Sequence, residues 1–128
     1  MDAQCKMEPV VLNVPTVPCF ARLVRMTAAN MAMLSSMSVE RIEDIRMAAE
    51  EAFVYACSET PDSICEITFT VDTDHIVMNF ELASDELEQM SEDTPNRSYA
   101  DLLMDGLCDV YEKHNDPATL YLNLRADV

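Results

Sequence analysis

Between Ser38 and Ser58 the chain reads SVERIEDIRMAAEEAFVYACS, and this stretch constrains the fold more than any other. Ile42, Ile45, Ala49, Ala52, Phe53 and Ala56 recur at the i, i+3, i+4, i+7 spacing that gathers apolar side chains on one helical face. Ser38 stands where an N-cap belongs, and Glu40 falls in the first turn. The rest of the chain is therefore read as what packs against this helix. The helix also carries Glu51 and Tyr55, four residues apart and so on one side.

Before it, residues 1–7 read as a flexible N-terminal arm and Pro9 to Val14 as a short strand, with proline acceptable at its first position or on an edge. From about Val17 to Ser35 an Ala-, Met- and Leu-rich run places Phe20, Leu23, Val24, Ala28, Met31 and Leu34 near helical spacing. Pro18 suits its first turn. Met26, Met31, Met33 and Met37 are either adaptable core filler or an adaptable partner-binding surface.

After the long helix, Thr60-Pro61-Asp62-Ser63 is a turn cluster. Ile64 to Val71 and Ile76 to Leu82 then alternate apolar and polar residues, which predicts a hairpin with one buried face. The acidic stretch Ser84 to Arg97 is a connection. Tyr99 to Leu107 predicts a short third helix, and Cys108 to Lys113 with Thr119 to Arg125 a second hairpin. The order β-α-α-β-β-α-β-β predicts an α+β protein, an α/β two-layer sandwich. Its sheet is expected to be mixed, mainly antiparallel, with about five strands and three helices on one face. The other face needs a partner or a polar surface.

A chain of 128 residues suits one domain, taken as 8–128. The net charge of −16 speaks against nucleic acid and against anionic membrane, since both need basic surface to neutralise phosphates. A basic protein partner fits better. Asp2 and Glu8 stand where a signal peptide would be basic and then apolar, so a cytoplasmic location is expected. Five cysteines without a CxxC pair indicate neither a disulfide framework nor a zinc site, and buried free thiols are expected.

Few residues propose chemistry by themselves. His75 and His114 fall in turns with no further ligand spaced for a metal, and read as solvated. Gly106 is the one glycine, where average usage of about 7% would supply roughly nine, so no glycine-rich phosphate loop is available. Glu50 and Glu51 are either a solvated helix face or, at the edge of a buried one, a carboxylate that burial could tune into a general base.

The run IEDIRMAAEEAFVYA, preceded by FARLVRMTAANMA and followed by a hairpin and LLMDGLCDV, resembles the anti-sigma-factor serine kinases of bacterial partner-switching systems. These are RsbW-like members of the GHKL ATPases, which share the Bergerat (histidine-kinase-like ATPase) fold. The resemblance spans about Pro9 to Arg125.

It implies that Glu51 is the family's general base toward an antagonist's serine. It also implies that the asparagine holding magnesium falls on Tyr55, which has no amide oxygen. The family's adenine-binding aspartate falls on Leu82 and its glycine-flanked phosphate loop on Arg97-Ser98-Tyr99, where no glycine stands. Losing a metal contact and the adenine hydrogen bond at ~1.5–3 kcal/mol each would cut nucleotide affinity by roughly 10² to 10⁴. The expectation is a retained fold without cofactor, in which Glu51 is vestigial and no metal is held. The alternative is a divergent kinase that uses ATP and magnesium, with Glu50 or Glu81 as replacement ligands. The family's partners are sigma factors and antagonist proteins, its members usually dimerise, and its first-helix arginine matches Arg22. Arg22 and Arg25 are thus the candidate partner-binding residues.

Overall fold

A computed structural model describes residues 8–85 and 99–127. Strand β1 (Val10–Pro15) leads through a 3₁₀ turn (Pro18–Phe20) into helix α1 (Ala21–Ala32) and helix α2 (Val39–Glu59). Strands β2 (Ile64–Val71) and β3 (His75–Glu81) follow, then helix α3 (Tyr99–Leu107) and strands β4 (Val110–His114) and β5 (Thr119–Arg125). The result is an α+β protein, one five-stranded sheet in the order β1-β2-β3-β5-β4 with three α-helices packed on it.

Every neighbouring pair in the sheet is antiparallel, which corrects the expected mixed sheet. Two helices between β1 and β2 return the chain to the end where it left, so β2 runs back along β1. Strands β3 and β4 do run the same way, with α3 crossing between them. Strand β5 inserts between the two and pairs with both, so no parallel ladder forms.

Alternation decides which face is buried. Ile67, Phe69, Ile76, Met78, Phe80, Leu120, Leu122 and Leu124 are sealed between sheet and helices. Their neighbours Thr68, Thr70, Asn79, Tyr121 and Asn123 line the opposite face in partial contact with solvent. The uncovered face is thus largely polar. Both edges are blunted, β1 by Pro9 and Pro15 at its ends and β4 by a charge that points inward, Lys113.

Helix α2 is built as its period implies, with Ile45, Ala49, Ala52, Phe53 and Ala56 fully buried. Ser38 Oγ accepts the Arg41 N–H at 3.0 Å, the expected N-cap, and donates to the Asp127 carboxylate. Helix α1 differs from its reading. Val24, Ala28 and Ala32 form its buried face, while Leu23 and Leu34 are exposed. Small side chains let α1 lie close on α2, and the longer ones are turned out. The methionines divide the same way, with Met31 and Met37 on the core and Met26 and Met33 exposed. Residues 1–7 and most of the acidic connection lie outside the described residues.

Candidate functional site

The site begins with the pleat of β4. Tyr111 pairs with Leu122 and Lys113 with Leu120, and since both leucines face the core, Tyr111 and Lys113 do too. Helix α3 brings Asp101 over them from its first turn, where the helix dipole favours a carboxylate. Helix α2 brings Tyr55 from the other side.

The four side chains interlock. Tyr111 donates its hydroxyl proton to Asp101 Oδ1 at 2.5 Å, and Lys113 Nζ donates to Asp101 Oδ2 at 2.8 Å. The same ammonium sits 4.9 Å from the centroid of the Tyr55 ring, a cation–π contact. Only 3% of the Lys113 side chain and 5% of that of Asp101 remain exposed.

Burial pushes the Tyr55 hydroxyl above its ordinary pKa, and the Lys113 charge offsets only part of this. Burial raises Tyr111 still further, reinforced by its bond to the Asp101 carboxylate. For Lys113, desolvation pulls downward, yet hydrogen bonding to Asp101 and Tyr55 outweighs it and holds the ammonium above the ordinary lysine value. The Lys113 ammonium therefore stays charged across the neutral range.

The residues singled out from the sequence are placed as follows. Tyr55 is buried in this cluster, and Leu82 is buried in the core with its backbone N–H on the Ala118 carbonyl at 2.9 Å. Tyr99 is 72% exposed, so it fills no space beneath α2. Arg97 and Ser98 lie outside the described residues. Glu51 is half-buried on α2 and, among the described residues, has no hydrogen-bond or ion-pair partner.

Glu50, one position earlier and so about 100° round the helix, pairs with Arg25 of α1 at 3.1 Å. Glu81 extends from the uncovered sheet face. Glu50, Glu51 and Glu81 therefore do not converge, and among the described residues no three His, Cys, Asp or Glu side chains are grouped to hold a metal ion. Arg22 is exposed on α1, and Arg25 is half-buried in its ion pair. His75 and His114 each contact a neighbouring carboxylate near the surface, Asp74 at 2.8 Å and Glu112 at 3.0 Å.

Lys113, Asp101 and Tyr111 were not singled out in the sequence. The available signal was a lysine two residues after a tyrosine in a strand, which places a charge on the apolar side.

A second polar assembly holds the opposite end. Arg41 donates to the Leu107 carbonyl at 3.0 Å, the Arg125 carbonyl at 2.7 Å and Asp109 Oδ2 at 2.7 Å. It ties the start of α2 to the end of α3 and to β5. This is a structural clamp whose donors are already engaged.

No helix among the described residues is long and apolar enough to cross a membrane. No family model matches the chain, and no curated protein matches it.

Proposed function

We propose that the chain is a non-catalytic regulatory protein of the anti-sigma-factor type, with a Bergerat-type domain and a nucleotide site given over to packing. It acts in the cytoplasm by binding a sigma factor or an antagonist protein, as a homodimer. The observation that carries this reading is Tyr55. At the helical position where the resemblance expects a magnesium-holding asparagine stands a buried phenol, locked under Lys113 and braced by Asp101 and Tyr111. Leu82, at the position expected to bind adenine, is likewise buried.

The outer face of α1 supports the binding half of the proposal. Helix α1 contains Arg22 and Arg25 and no acidic residue, in a chain of net charge −16. Beside the arginines, Leu23, Met26 and Met33 are exposed, and flexible thioethers suit a surface that adapts to a partner. The test is affinity capture with the whole chain from its native cells. Recovery of a sigma factor or antagonist, reduced at least tenfold by Arg22→Glu, is the expected outcome; recovery unaffected by that change would move the interface elsewhere.

One observation favours a second reading, a divergent ATP-dependent serine kinase: Glu51 keeps a carboxylate with no partner among the described residues, as a general base would need. Nucleotide titration separates the two.

A further inference from the structure

We propose that Cys19 and Cys57 form a thiol pair that a hydroperoxide closes to a disulfide, stapling the entry of α1 to the last turns of α2. Helices α1 and α2 pack against each other, and the Arg25–Glu50 ion pair sets their relative height. From Glu50, Cys57 lies seven residues on, ~10.5 Å along the axis and within about 20° of the same flank. From Arg25, four helical residues and two more in the 3₁₀ turn lead back to Cys19, ~10 Å in the matching direction. The 3₁₀ turn itself packs on α2.

A separate set of hydrogen bonds pins the same end. Thr16 Oγ1 donates to the Thr60 carbonyl at 2.5 Å and accepts the Ser63 N–H at 2.7 Å, while the Thr16 N–H reaches the Ser63 carbonyl at 2.8 Å. Thr16 precedes Cys19 by three residues and Thr60 follows Cys57 by three, so the clamp holds the two cysteines' segments together. Burial pushes the Cys57 thiol up, and neighbouring Cys19 adds to that rise.

The division of roles follows from exposure. Cys19 is exposed and Cys57 buried. Cys65, opposite Val14 in β2, is also buried, and burial lifts its thiol to about 12. Cys19 meets the oxidant first: its thiolate sulfur attacks the peroxide O–O bond, giving a sulfenic acid and releasing water or the alcohol once the leaving oxygen takes up a proton. The Cys57 sulfur, giving up its proton, then attacks the Cys19 sulfur and breaks its S–O bond; the sulfenic hydroxide leaves and takes up that one proton to become water, and the S–S bond forms. Two thiols have lost two electrons, and one O–O bond has been reduced. Since Cys19 lies three residues before Arg22, the staple would fix the end of α1 that carries the partner-binding arginine; that consequence, unlike the disulfide, rests on the function proposed above.

The test is a non-reducing peptide map of the folded full chain after mild hydrogen peroxide. The expected result is one dominant cross-link, Cys19 to Cys57 within a single chain, absent in Cys19→Ser and reversed by dithiothreitol. Cross-linking of Cys19 to another cysteine, chain-to-chain Cys19 dimers, or Cys19 accumulating as sulfinic acid with Cys57 free would each overturn the proposal. The readout needs no partner, so it fails or succeeds independently of the partner-capture experiment.

Discussion

Lys113 Nζ stands 2.8 Å from Asp101 Oδ2, on an edge strand and a short helix, with both side chains almost entirely withdrawn from water. A buried pair of this kind matters most when half of it is removed, because the remaining charge keeps its desolvation cost and loses its partner. Tyr111 depends on the same carboxylate. Asp101→Ala should therefore destabilise the protein by about 3–5 kcal/mol, read from urea unfolding midpoints. A loss below about 1 kcal/mol, the range of exposed pairs, would show that the cluster is open to solvent.

Alkaline pH should unfold the protein through groups that hold their protons more tightly when folded. The Cys65 and Cys108 thiols rise from 9.0 to about 12, chiefly by burial. Lys113, Tyr55 and Tyr111 are all held above their ordinary values of 10.5, 10.0 and 10.0. Each raised group contributes stability that is fully present below its unfolded pKa and is lost as pH rises toward its folded one. The unfolded chain releases these protons first, at about 1.4 kcal/mol per pH unit for each group. Urea midpoints should fall from about pH 9 and fall more steeply above pH 10, and Cys65→Ala should flatten the first part of that decline.

Arg41 joins α2, α3 and β5 through two backbone carbonyls and Asp109. Arg41→Ala should cost at least the ~1.5–3 kcal/mol of one charge-assisted hydrogen bond. Arg41→Lys should recover only part, since one ammonium cannot span the directions of a guanidinium fork. Thermal melts of the two variants check this order.

Much of the fold was legible because local pattern and global packing agree. The 3.6-residue period and Ser38 cap define α2, and alternation of apolar and polar residues defines β2 and β3. Helix α1 was less legible: Leu23 and Leu34 fit the spacing as well as Ala28 and Ala32, and only contact with α2 selects the small residues for the inside. The site was legible in one member. Tyr55 was singled out only through the resemblance, while its partners Asp101 and Lys113 lie far along the chain, and the β4–β5 register is what aims Lys113 inward. A lysine on a short edge strand carries no such instruction by itself.

The central claim, that packing has replaced a nucleotide at Tyr55, is tested most directly by titrating the folded chain with ATP and magnesium in a calorimeter, with a thermal melt beside it. The account predicts no saturable heat up to millimolar ATP and an unmoved melting midpoint. Saturable binding in the micromolar range would contradict it; at 100 times the dissociation constant such binding would add about 2.7 kcal/mol of stability and shift the melt by several degrees.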